Sequence, residues 1–414
     1  MANTLRAFGT LLATIALVAV MGLAPTTASA EKPPIKIGFI HTMSGPISMY
    51  GITSAAGAKI AVEEINASGG VLGRKLELIV RDDKISPEAG LREAKDLVLK
   101  DKVDFLAGTI SSGVALAISG YARRAKKIYM INIAQSTRIT EEKFNKYTFR
   151  FTTNATPYFG KGPALALAKT YKAKKIISLG YDYEMGKNSL KEFKATYLKM
   201  VPDAKIIDEL WVPLGSTDFT AHIAKMANSG ADCFYLAGIY GGGELAFTKQ
   251  AWSFGLYDKM KAVQPCAGDV ETWGKVKEGD PYPKNALATC RYPFWAIKGE
   301  QNAKFVKQIR EMTGLWPSYG SMDAYVIVYA IKDAVTKAGT TDTQKVIKAM
   351  ETLKMTTFVG PVEMRAYDHQ AMMPTWYGIM RFTPDLPFPH ITDVGKLGPE
   401  SYHTIEEIKK IRGE

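Results

Sequence analysis

Residues 35–41 read IKIGFIH, a short apolar run between Pro34 and the turn Ser44-Gly45-Pro46, and the pattern that follows it decides the fold. Residues 54–65 carry Ala58, Ala61, Val62 and Ile65 at helical spacing, which stops at Asn66 and Gly69-Gly70. A strand is expected over 75–80, and Ser86 with Pro87 caps a helix to residue 100 with Leu91, Ala94, Leu97 and Val98 on one face. Strand 105–107, helix 112–124 and strand 128–132 complete a four-strand unit. After FRF at 149–151 the alternation begins again. Helix 157–171, strand 175–179, helix 186–200, strand 205–211, helix 219–228, strand 233–237 and helix 244–254 follow in order. Strands alternating with helices at this spacing mean βαβ units, and two such blocks mean two Rossmann-like α/β lobes with parallel sheets flanked by helices. Past about residue 280 the signal weakens among prolines. Two helices remain clear, at 302–312 and 322–337, and a stretch rich in Val, Tyr and Trp over 359–382 reads as strands.

The chain has 414 residues, enough for two or three domains. Its 46% hydrophobic and 23% charged residues exclude a disordered chain and a polytopic membrane protein. The net charge of +12 raises the question of nucleic acid. Its distribution answers it: Arg123, Arg124, Lys126 and Lys127, like Lys172, Lys174 and Lys175, stand just before apolar strands, where a helix dipole favours cations.

At the start of the chain, Arg6 precedes an uncharged apolar stretch over 11–23, then Pro25 and Ala28-Ser29-Ala30. That is the pattern of a secretory leader cleaved after Ala30, too short to span a bilayer, and the mature chain is expected in the periplasm. Cys233, Cys266 and Cys290 form no C-x-x-C pair; a Cys266–Cys290 bridge and buried free thiols both fit an exported chain.

Catalytic chemistry is hard to find. The loop after the first strand lacks G-x-G-x-x-G, and GYDYEMGKN at 180–188 departs from a phosphate loop in spacing and ends in Asn188. Five histidines show no metal-ligand spacing, so neither cofactor nor metal is expected. Ser111-Ser112-Gly113 opens a helix without a nucleophile elbow. It reads either as an N-cap or as a helix start holding a carboxylate. The second reading agrees with small and hydroxylated residues at three strand ends, 42–50, 109–113 and 133–137, where open parallel sheets collect ligands.

The runs IKIGFIHTMSGPISMYG, AKIAVEEINASGGVLGRKLELIVRDD, LAGTISSGVAL and YMINIAQST together resemble the leucine/isoleucine/valine-binding proteins of bacterial ABC importers. The likeness extends from about Ile35 to GPVEM at Gly360. It implies a type I periplasmic binding fold, two lobes joined by three crossovers, with 31–151 and 293–356 in the first lobe, 152–292 and 357–398 in the second, and a tail helix over 399–414. It also implies a non-enzymatic, monomeric solute-binding subunit that serves ABC permease subunits and closes on a branched-chain or other hydrophobic amino acid. A small aromatic or aliphatic carboxylate or amide is the alternative solute, and a ligand-sensing receptor component the alternative role. In the resemblance, Ser112, Ala134 and Ser136 fall on the carboxylate site and Tyr50 on the aromatic of the first loop. The second lobe matches less closely. Its first tyrosine falls on Met185, with Tyr183 adjacent; the next fits Tyr240, and the acid that meets the ligand ammonium is displaced from Cys266 to Asp269.

Overall fold

Ile35–His41 is β1, as read, and every residue of it except Lys36 is buried. The computed structural model describes residues 32–45 and 47–414; the expected leader, its cleavage site and Pro46 lie outside the described residues. β1 pairs in parallel with β2 (Leu76–Asp82) and β3 (Phe105–Gly108), so Ile37 stands between Leu78 and Phe105. β4 (Ile128–Ile131) and β5 (Thr148–Arg150) extend the sheet in the same sense. Burial on both faces is what continuous apolar runs dictate. Gly38 permits close helix packing, since a Cβ there would meet the Leu97 side chain at 2.8 Å.

The second sheet repeats the plan with β6 (Lys175–Tyr181), β7 (Lys205–Val212), β8 (Cys233–Ala237), β9 (Lys261–Val263) and β10 (Leu287–Cys290), parallel in the order β10-β9-β8-β6-β7. β14 (Thr375–Arg381) and β15 (His390–Leu397) close its edge in antiparallel fashion. The chain passes between lobes after β5, and again after β10. That second passage delivers the helices Glu300–Thr313 and Tyr319–Ala338, which pack on the first-lobe helix Ser48–Ala67.

The third passage lies elsewhere than expected. β11 (Lys354–Thr357), β12 (Gly360–Arg365) and β13 (Gln370–Ala371) form an antiparallel meander whose last strand pairs with β5, so 357–371 belongs to the first lobe and the crossing falls at 372–374. Strand propensity marked this stretch, but pairing decides which sheet receives it, and pairing is a tertiary property. The expected tail helix over 399–414 is instead a 3₁₀ turn at Pro399–Ser401 followed by an α-helix at Ile405–Arg412. Pro34–Glu414 forms one compact unit. Among the described residues no helix is long and apolar enough to cross a membrane.

Candidate functional site

The helix Ser112–Ala125 settles how its two serines differ. Ser111 is the N-cap, its hydroxyl accepting from the Val114 N–H at 3.5 Å. Ser112 is the first helical residue; its Oγ accepts the Ser136 N–H at 3.2 Å and lies 3.9 Å from the Met185 sulfur across the cleft. Loop 132–140 is braced from beneath by the buried Arg150, which donates to the Ser136 carbonyl at 2.6 Å, Thr140 Oγ1 at 2.5 Å and Gln370 Oε1 at 2.6 Å. Burial pulls the Arg150 guanidinium down to about 10, and these three acceptors hold it.

Between the lobes lies a small cavity of about 40 Å³. The first lobe lines it with Tyr50, Ile110, Ser111, Ser112, Ile133, Gln135 and Tyr319; the second with Phe159, Tyr183, Met185, Tyr240 and Cys266, together with Arg291 just past β10. Tyr50 meets Tyr240 edge-on at 6.4 Å between centroids and Tyr319 at 6.1 Å. Tyr183 and Tyr240 are 6.5 Å apart. Desolvation raises the hydroxyls of these tyrosines above their ordinary range, so the walls present neutral aromatic surface.

Four of the expected site residues therefore share one cavity: Tyr50, Ser112, Tyr183 and Tyr240. Three do not line it. Ala134 is fully buried beneath the loop, its N–H bonded to the Thr109 carbonyl at 3.0 Å. Ser136 points across the cleft, donating to Glu184 Oε1 at 2.7 Å, while Arg138 meets the other Glu184 oxygen at 2.6 Å. Asp269, expected to meet a ligand ammonium, faces Arg291: Nε donates to Oδ2 at 3.0 Å and Nη2 at 2.5 Å, while the Arg291 N–H donates to Oδ1 at 3.0 Å. Tyr158 adds a hydroxyl donor to Oδ2 at 2.6 Å. Burial and the Asp269 charge push the Glu271 and Asp323 carboxyls well up, so neither offers a ready counter-charge for an ammonium.

Sequence reasoning missed Arg291 and Tyr319. The signal for Arg291 was a lone cation directly after an apolar run, LATC, at the carboxyl end of a strand. That strand is four residues long among prolines and went unread. Cys266 and Cys290 are buried free thiols, as is Cys233.

Two α/β lobes closing on an aromatic cavity define a bilobal binding protein. Residues 34–382 match the family described as periplasmic binding protein, and the chain belongs to it. Among its relatives, Leu/Ile/Val-binding protein homolog 6 of Brucella melitensis is 26% identical over 360 residues, 84% of this chain and 87% of that protein. A solute-binding protein of an ABC transporter from Rhodopseudomonas palustris, solved with 3,4-dihydroxybenzoic acid, superposes with a TM-score of 0.78 at 22% identity, covering 88% of this chain and 98% of that one. Another from the same species, solved with 4-hydroxybenzoate, gives 0.76 at 24%, covering 87% and 97%. These two likenesses establish the fold.

Proposed function

We propose that the chain is the periplasmic solute receptor of an ABC importer, delivering a small carboxylate with an apolar body to permease subunits without transforming it. The observation that carries this reading is the cavity itself, built from both lobes around the start of the helix Ser112–Ala125. Backbone N–H groups at a helix start favour an anion, and a water-excluding cleft strengthens that attraction. In this reading Ser112 and loop 134–136 hold the carboxylate, Ala134 and Ser136 acting through the shape of the loop, while Tyr50, Tyr183 and Tyr240 enclose the body. The Brucella relative's name points to branched-chain amino acids; the Rhodopseudomonas neighbours, to benzoates.

Thermal shift and titration calorimetry on the purified mature chain test the proposal, with L-leucine, L-isoleucine, L-valine, 4-methylpentanoate, benzoate and 4-hydroxybenzoate as probes. At least one probe should raise the melting temperature with one-to-one stoichiometry and be recovered unchanged. Silence from every probe, together with no small molecule co-purifying from the native host, would remove the receptor reading.

A further inference from the structure

Arg291 is a cation buried in the wall of the cavity, with a side chain 6% exposed. Its guanidinium carbon lies 3.0 Å from the Tyr319 ring centroid and 4.3 Å from that of Tyr158, so two aromatic rings pack against the cation. Asp269 takes Nε and Nη2, and Gln135 Oε1 takes Nη1 at 2.8 Å. A guanidinium has five N–H groups. Three are engaged here, which leaves one on each terminal nitrogen, and those two nitrogens are spaced to match the oxygens of a carboxylate.

The rest of the lining sharpens the point. No Asp or Glu lines the cavity among the described residues. Of the carboxylates nearby, Glu271 and Asp323 stay outside the lining, and Asp269 is already neutralised by this arginine and capped by Tyr158. An α-ammonium entering the cavity would therefore meet a like charge and find no acid to receive it, a pairing that a desolvated site penalises heavily. A flat apolar body, by contrast, finds Tyr50, Tyr183, Tyr240, Tyr319 and Phe159 around it. Offset and edge-on packing against such rings favours an aromatic group.

Resting on the receptor reading above, we infer that Arg291, oriented by Asp269, is the specificity-determining residue of the cleft and selects an acid without an amine, a benzoate-like solute, over the corresponding amino acid. Asp269 is then a positioning residue and not an ammonium acceptor.

Two matched pairs separate the elements of this inference by calorimetry. L-leucine against 4-methylpentanoate tests the amine, and benzoate against benzamide tests the carboxylate. For the native chain each acid should bind about tenfold or more tighter than its partner, benzoate tightest of the four, since charge-assisted hydrogen bonds carry ten- to hundredfold effects. Replacing Arg291 alone would strand a buried carboxylate, so the informative variant is Arg291→Gln with Asp269→Asn, its fold checked by circular dichroism and melting. Its benzoate-to-benzamide preference should fall about tenfold, leaving only what Ser112 and the helix start retain. Should that pair fail to fold, Arg291→Lys keeps a cation beside Asp269 but loses the fork, and benzoate affinity should fall roughly tenfold.

L-leucine binding more tightly than 4-methylpentanoate would overturn the inference and leave the receptor standing. An unchanged benzoate-to-benzamide ratio in the double variant, or unchanged benzoate affinity in Arg291→Lys, would make Arg291 a structural bridge between the lobes. Binding of none of the four probes would overturn the inference as well, and the wider probe panel then decides separately on the receptor.

Discussion

Ser111 and Ser112 are neighbours of identical chemistry that the start of one helix sets to different tasks. Ser111→Ala removes the cap and should cost about 1 kcal/mol of stability while leaving solute affinity unaltered. Ser112→Ala removes the hydroxyl that faces the cavity and receives the Ser136 N–H. Solute affinity should then fall about ten- to a hundredfold, with a stability loss of about 1 kcal/mol from the stranded N–H. Calorimetry beside a denaturant melt on both variants checks the division; equal losses of affinity would show that the cap, not the hydroxyl, shapes the site. Hydroxyls and aromatics at strand ends were legible because chain position announces them: Tyr50, Ser112, Tyr183 and Tyr240 all arrive in the cavity. The partnership of Asp269 was not. A carboxylate's role depends on what faces it, and Arg291 lies 22 residues further along, behind an unread strand.

At the scale of elements, the helix Glu184–Met200 joins the lobes across the cleft. Its first turn places Glu184 against Ser136 and Arg138, and Asn188 receives the Thr137 N–H at 3.0 Å and returns a bond to its hydroxyl at 3.1 Å. These contacts exist only while the lobes are together, so they favour the closed arrangement. Glu184→Ala should lower solute affinity about three- to tenfold, equivalent to one lost hydrogen bond to a charged group on a part-exposed surface. It should also increase the radius of gyration of the ligand-free chain in small-angle scattering. Affinity and scattering both unmoved would mean that the contacts follow closure without contributing to it. The elements themselves were largely legible. Where strands are five or more residues long and mostly apolar, as in β1, β6 and β8, sequence and structure agree closely. β9 and β10, three and four residues long, were invisible because a window that short carries no period. The helix Thr343–Met350 was also unread.

Across the whole molecule, one histidine paired with two glutamates binds the tail to both lobes. His403 Nδ1 lies 3.0 Å from Glu141 of the first lobe and Nε2 3.2 Å from Glu192 of the second, while its carbonyl accepts from Arg365 at 2.7 Å. Burial alone would lower its pKa, but hydrogen bonds and charge from the two carboxylates outweigh it and raise the imidazole to about 10. The folded state thus holds a proton that the unfolded chain releases near 6.5. That stabilisation is complete below pH 6.5 and declines as pH rises through about 10. His403→Ala should cost roughly 2–3 kcal/mol at pH 6 and progressively less toward pH 10. Melts across that range check it, and a constant difference at every pH would assign the loss to packing. The two-lobed plan was legible from the alternation alone, whereas the third crossing and the path of the tail depend on edge pairing and on single polar contacts that no periodicity encodes.

The return of the tail has a practical side. β15 lies in the second sheet, yet Arg412 donates to the carbonyls of Thr140 and Glu141 at 3.0 Å each, and Tyr367 bonds Glu414, so the last residues ride on the first lobe. A fluorophore attached there moves with the lobe that carries Ser112, whatever the strand order suggests. Paired with a second dye on the exposed face of the helix Thr220–Ala227, it reports the distance between lobes and turns the receptor into an optical gauge of its own solute. Paired with a dye near Lys59 it stays dark to closure and serves as the built-in control.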